Sequence, residues 1–128
     1  MSEENRELVE GAYDAFRRGD IDTILSVMSD DVEWHVPTVL PQGTDARGRD
    51  GVRQFLQRFA ELWDDYDLQV EDFLMSEDRL AVLVRVTGRF EGADAGYRAA
   101  HAWTVRDGMV VRFHEYVDVG SEGVKAAD

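Results

Sequence analysis

At Asp64 the hydrophobic rhythm of the chain changes: before it, apolar residues recur every three or four positions, and after it they alternate. A chain with helical period first and strand period afterwards must fold as helices laid on a sheet, an α+β arrangement with the helices gathered on one face. In the first half, Leu8, Val9, Ala12, Tyr13, Ala15 and Phe16 share a face of a helix over residues 4–18, which Gly19 ends. Asp20 can cap a second, short helix carrying Ile21, Ile24, Leu25 and Met28, broken by Ser29, Asp30 and Asp31. Residues 32–36 read as a short strand ended by Pro37, and residues 38–49, with Pro41, Gly43 and Gly48, as a loop. Asp50 can then cap a long helix whose stripe is Val52, Phe55, Leu56, Phe59, Leu62 and Trp63.

In the second half, residues 67–74, 79–90, 97–106 and 109–118 read as strands rich in valine and aromatics. Asp107-Gly108 is a hairpin turn signal, and Ser76-Glu77-Asp78 and residues 91–96 are further turns, so the strands form an antiparallel meander. Residues 120–128 read as a frayed, flexible tail.

A length of 128 residues with 44% hydrophobic content suits a single domain with one core, about residues 4–118. The formal charge of -13 repels phosphate backbones and anionic lipid surfaces, which argues against nucleic acid and membrane as partners. Cysteine is absent, so packing rather than cross-links must supply stability. With no apolar leader-like stretch at the N-terminus, the expected location is cytoplasmic.

Several local features, in order, carry a family resemblance: Arg18-Gly19-Asp20-Ile21-Asp22 at the helix junction, Val32-Glu33-Trp34-His35-Val36-Pro37, and Gly48-Arg49-Asp50-Gly51-Val52 opening the long helix. The run from Trp103 through Asp107-Gly108 to Val110, followed by Glu115-Tyr116-Val117-Asp118, completes the set. The chain resembles the SnoaL-like branch of the nuclear transport factor 2 superfamily. That resemblance implies a cone-shaped α+β roll, N-terminal helices packed on a curved, mainly antiparallel sheet enclosing a pocket. It leaves function open, because the superfamily holds ketosteroid isomerases, polyketide cyclases, scytalone dehydratase, limonene epoxide hydrolase and members without activity.

Aligned on Asp30-Asp31 and Pro37, the general base of the ketosteroid isomerases falls on Val36, which cannot take a proton. Their oxyanion tyrosine falls on Ala12 with Tyr13 one position away, and their protonated aspartate falls on His101, so steroid isomerisation is disfavoured. The histidine and acidic residue of SnoaL-type cyclases correspond to His101 and Glu115. Limonene epoxide hydrolase matches Glu115 and, nearby, Arg85, but its other aspartate is Thr87.

Strand alternation independently groups Tyr97, Ala99, His101, Trp103 and Val105 on one face, and Phe113, Glu115 and Val117 on the neighbouring strand. Counting outward from the Asp107-Gly108 turn brings His101 and Glu115 within reach, a count that a bulge would shift. An imidazole beside a carboxylate can move a proton next to a carbonyl near neutral pH. The plainer readings stay open: His101 as a satisfied core histidine, Trp34, Trp103 and Phe113 as ordinary core, Tyr13 as helix packing, and Arg85 as a solvated or interface residue. The expected catalytic pair is His101 and Glu115, and the expected pocket residues are Tyr13, Trp34, Val36, Arg85, Tyr97, Trp103 and Phe113.

The three histidines lack paired spacing, and there is no calcium-loop pattern, phosphate loop or nucleophile elbow, so neither metal nor cofactor is expected. The sequence therefore points to a cofactor-independent isomerase or cyclase-like enzyme acting on a small, apolar carbonyl compound. A non-catalytic binding module is the alternative, as is a hydrolase or dehydratase using a pocket water with Arg85, Glu115 and Asp118 as its polar lining. A homodimer is expected, paired through an outer sheet face bearing Leu80, Val82, Val84 and Val86.

Overall fold

The computed structural model describes residues 2–118 and 125–126. Helices α1 (Ser2–Arg18) and α2 (Ile21–Ser26) precede β1 (Met28–Val36), β2 (Thr44–Arg47) and α3 (Gly48–Leu62). Then come β3 (Trp63–Ser76), β4 (Arg79–Phe90), β5 (Ala93–Arg106), β6 (Met109–Val117) and the short β7 (Lys125–Ala126). The strands form one curved, unclosed sheet in the order β2-β1-β6-β5-β4-β3, with β7 paired to β5. Among the described residues only β1 and β6 pair in parallel, and the other strand pairs are antiparallel.

α1 ends where the sequence places its stop. Gly19 has φ 70, a left-handed value that costs glycine little, and the Asp20 N–H reaches back to the Ala15 carbonyl at 2.8 Å while the Gly19 N–H reaches Phe16 at 3.1 Å. Asp20 then caps α2 by accepting from the Thr23 N–H at 3.2 Å, and the Thr23 hydroxyl, donating at 2.6 Å, together with that backbone bond holds its carboxyl below the usual range. Gly11, in contrast, sits exposed within α1 with nothing within 4 Å of an added Cβ. Gly11→Ala is expected to raise stability by about 0.5–1 kcal/mol, read as a higher urea midpoint with an unchanged slope; a lower midpoint would contradict it.

Four expectations are corrected. Ser29, Asp30 and Asp31 do not follow a helix; they lie inside β1, which begins at Met28 because that side chain turns into the core fully buried. The segment read as a loop contains β2, an edge strand too short and polar to show a period, paired with β1 from Glu33↔Arg47 to Val36↔Thr44. α3 starts before Asp50, at Gly48, with Arg47 at the cap position and no side-chain cap bond, leaving Asp50 as a first-turn acid. Finally, Leu80, Val82, Val84 and Val86 point inward, each at most 2% exposed, so they form core and give no argument for a paired outer face. The outer face of β4 carries instead the exposed Leu83, Arg85 and Thr87. The expected tail, residues 120–128, lies outside the described residues except for Lys125 and Ala126, which pair with Gly96 and Ala95.

The meander keeps the strand boundaries read from the sequence at β4, extends β3 at both ends and β5 toward its N-terminus, and so shortens the expected turns to Glu77-Asp78 and Glu91-Gly92. Asp107 and Gly108 have φ 53 and 76, and Glu91 and Gly92 have φ 53 and 80, the paired positive values of two-residue hairpin turns. Register shifts interrupt β3 against β4 twice and β5 against β6 once, and such bulges bend a strand, which curls the sheet around the helices. Among the described residues no helix is long and apolar enough to cross a membrane.

Candidate functional site

The bulge between β5 and β6 decides what the site contains. Beyond the turn the pairs Arg106↔Met109 and Val105↔Val110 would continue, in a regular ladder, to set His101 opposite His114. The ladder instead steps from Val105↔Val110 to Thr104↔Arg112, and the single extra residue places His101 directly opposite Glu115. Both side chains point inward, His101 6% and Glu115 4% exposed. The His101 ring and the Glu115 carboxyl meet at Nε2 and Oε2, 3.1 Å apart.

The hydrogen-bond roles follow from the partners. The Trp103 indole can only donate, and its Nε1–H reaches the Tyr13 hydroxyl oxygen at 3.0 Å. An ionised Glu115 can only accept, so opposite it His101 carries its proton on Nε2 and donates it at 3.1 Å, and the Nδ1 of the neutral ring accepts from the Tyr13 hydroxyl at 2.6 Å. A chain of donors runs from Trp103 through Tyr13 and His101 to the carboxylate, fixing its Oε2 and leaving Oε1 without a protein hydrogen bond among the described residues. Tyr13 also stacks against His101, with ring planes 4° apart.

A second chain starts at Trp63, at the junction of α3 and β3. Its Nε1–H donates to Gln42 Oε1 at 3.1 Å, which orients the amide so that Gln42 Nε2 donates to the Tyr97 hydroxyl at 3.0 Å. Gln42 is 1% exposed and stands on the turn between β1 and β2. The sequence reading missed it, because a lone glutamine between Pro41 and Gly43 has no period or motif to mark it as inward-facing.

All of these residues except Trp63 line a cavity between the helices and the concave sheet, about 580 Å³ when the open solvent at its mouth is counted. Its walls are aromatic: Trp34 stacks on Phe113 at 4.0 Å, and Trp103 meets Phe113 edge-on at 4.7 Å. Of the residues expected here, His101, Glu115, Tyr13, Trp34, Tyr97, Trp103 and Phe113 all line the cavity. Two do not. Val36 is buried in the core beside β2 without bordering the space, and Arg85 is exposed on the outer face opposite Gln69 and Arg98. Arg85 interrupts an apolar run because it takes the outward parity of β4, not because the pocket needs a cation.

Burial pushes the hydroxyls of Tyr13 and Tyr97 well above the ordinary tyrosine range, and the nearby Glu115 charge adds to the rise at both, against the lowering by Trp103 and by Gln42. Both phenols keep their protons as donors. Since unfolding would release them to ionise near pH 10, the stability they contribute is present below that value and lost as pH rises above it. Tyr13→Phe and Tyr97→Phe should therefore leave the native tyrosinate absorbance at about pH 10 unchanged, and a fall in that absorbance with either variant would contradict the assignment. On the outer face the His35 and His114 rings lie 4.2 Å apart, tilted by 36°, and His35 hydrogen-bonds Asp45, as the strand parity places them; burial and the neighbouring His35 hold His114 below the usual histidine range.

The sequence profile of the SnoaL-like domain matches residues 9–113, a span that holds most of α1, all of α2 and α3, and the sheet from β1 into β6. The chain belongs to the SnoaL-like domain family. Its similarity to solved SnoaL-like and related folds runs nearly end to end. An NTF2-like protein of unknown function from Burkholderia pseudomallei is 26% identical over 95% of both chains, with a TM-score of 0.85. TerC, whose crystals contain polyporic acid, is 30% identical over 91% of this chain and 92% of its own, with a TM-score of 0.81. A candidate polyketide cyclase from Xanthomonas campestris pv. campestris is 26% identical over 92% and 93%, with a TM-score of 0.76. No curated protein matches the chain. The chain is thus similar to a candidate polyketide cyclase and shares its fold with a protein of ketosteroid isomerase-like fold.

Proposed function

We propose that this SnoaL-like domain is a cofactor-independent enzyme that moves a proton on a small, largely apolar carbonyl compound. The observation that carries the reading is the buried Glu115 carboxylate, anchored through Oε2 by His101, with no hydrogen bond to Oε1 among the described residues, in an aromatic cavity. In the proposed step Oε1 takes a proton from the carbon beside the carbonyl; the C–H electron pair moves into the carbonyl to give an enolate, and the proton returns to the conjugated carbon. His101 acts through Glu115, since both of its nitrogens are already engaged. This refines the expected acid and base pair into one base and one positioning residue.

The water-using alternative loses support, because Arg85 and Asp118, two of the three residues it needs for polar lining, are exposed. The co-crystallisation of TerC with polyporic acid supports a small-molecule occupant for the cavity here, whether or not chemistry follows. The test uses 2-tetralone, a flat bicyclic ketone with acidic protons beside its carbonyl. In D₂O, the protein is expected to accelerate deuterium uptake at those carbons, read by proton NMR. Bound ketone with no acceleration over buffer would leave a binding module and sink the enzyme reading.

A further inference from the structure

Among the residues that line the cavity Glu115 alone carries a charge. No lysine or arginine borders the space, and His101, protonated on Nε2 only, is neutral. Arg17, the next cation along α1 from Tyr13, is committed elsewhere, to Asp14 at 3.0 Å and to the Leu68 carbonyl at 3.3 Å. A carboxylate only 4% exposed, with no cation beside it, is costly to keep ionised, and a positively charged ligand would offset that cost.

One oxygen of the carboxylate is within a ligand's reach. Among the described residues Trp34 Nε1 is the only side-chain polar atom both fully enclosed and without a hydrogen bond. Glu115 Oε1 accepts no hydrogen bond either, so it is not enclosed and keeps surface toward the cavity that Glu115 lines. Around it the wall is aromatic: the Phe113 ring lies 4.9 Å from His101 and 4.7 Å from Trp103, and Phe55 and Phe59 border the space from α3. Aromatic rings attract cations, and a carboxylate attracts them more strongly in a poorly hydrated site than at the surface.

We propose that the cavity is also a binding site for an organic cation, a tertiary or quaternary ammonium whose charge rests against Glu115 Oε1 and whose alkyl groups pack on the aromatic wall. Such a group spreads its charge over carbon. A primary ammonium carries three N–H donors instead, and an apolar wall leaves most of them unpaired. The inference goes beyond the proton-transfer reading by adding a second ligand class. It needs the ionised carboxylate but no chemistry, and because both ligands use Oε1, the cation should exclude the ketone.

The test compares phenyltrimethylammonium with tert-butylbenzene, the neutral molecule of the same shape in which carbon replaces nitrogen. Binding is read by tryptophan fluorescence, since Trp34 and Trp103 line the cavity. The wild-type protein should prefer the cation by about 10- to 100-fold, and Glu115→Gln should erase that preference while changing tert-butylbenzene affinity by less than about 2-fold. Equal affinity for the two probes, failure of the cation to bind at millimolar concentration, or a preference that survives Glu115→Gln would overturn the proposal. Should near-UV circular dichroism show that Glu115→Gln does not fold, competition in the wild-type protein decides. There the cation should displace tert-butylbenzene from a single site, and simultaneous binding of both overturns the proposal. Deuterium exchange into 2-tetralone, measured separately, keeps the two readings apart. Exchange without cation preference overturns the cation site and spares the base; cation preference without exchange overturns the base and spares the cation site.

Discussion

Glu115→Gln should lower the rate of deuterium uptake into 2-tetralone by about two to four orders of magnitude, the usual contribution of a positioned base. The substitution is close to isosteric, and a glutamine carbonyl can still accept the Nε2–H that His101 donates at 3.1 Å, so the cavity walls should stay in place. What disappears is the charge and the lone pair that takes the proton. His101→Ala should cost less, about 10- to 100-fold, because it removes the anchor and not the base. His101→Gln should recover part of that loss, since an amide can accept from Tyr13 with its oxygen and donate to Glu115 with its nitrogen. The two positions work as a unit, so the double variant should fall no further than Glu115→Gln alone. A Glu115→Gln protein with wild-type exchange would contradict the assignment.

Gly43→Ala should be the most damaging of the glycine substitutions, at about 2–4 kcal/mol. A Cβ at Gly43 would lie 2.4 Å from the Pro37 carbonyl oxygen and 2.6 Å from the Thr38 Cα, and these are backbone atoms that no rotamer change can move. The turn there is closed by Leu40 N–H to Pro37 O at 3.1 Å and Gly43 N–H to Leu40 O at 3.0 Å, so relief requires opening it. Opening also drags Gln42 from between Trp63 and Tyr97, leaving buried polar atoms unpaired. The expected readout is a Tm lowered by roughly 5–15 °C for a domain of this size. An unchanged Tm would mean that the turn has slack which its contacts do not suggest.

The elements legible from sequence were those with long periods or strong punctuation. α1 and its Gly19 stop, the Asp20 cap, α3, and the meander with its Asp107-Gly108 turn all rest on local chemistry that needs no tertiary knowledge. Edges and bulges were not legible. β2 has four residues and one apolar side chain, so only its pairing with β1 defines it. Alternation assigned the inward face of β5 correctly, but in β6 it would have buried Val111 in place of Val110, because one extra residue resets the parity. Val110 and Phe113, both buried three positions apart, are the trace that such a bulge leaves. On β4, where both parities carry apolar residues, the inward set was read as outward; composition alone does not say which face of Leu80 to Val86 meets the helices.

The candidate site was legible in part for the same reason. His101 and Glu115 stand out as polar residues in apolar strands, whereas Gln42 and the unpaired Trp34 N–H emerge only once the turn and the cavity wall are placed. Arg85 shows the converse error, a charge interrupting an apolar run that parity alone turns to solvent.

The account stands on the donor chain from Trp103 through Tyr13 and His101 to Glu115, and nitrogen-15 NMR of the histidine side chains reads it directly. At about pH 8, above the ordinary histidine range, His101 should show its proton on Nε2 and a hydrogen-bonded, unprotonated Nδ1. A proton on Nδ1 would reverse the bond with Tyr13, detach the imidazole from the carboxylate as its donor, and contradict the account.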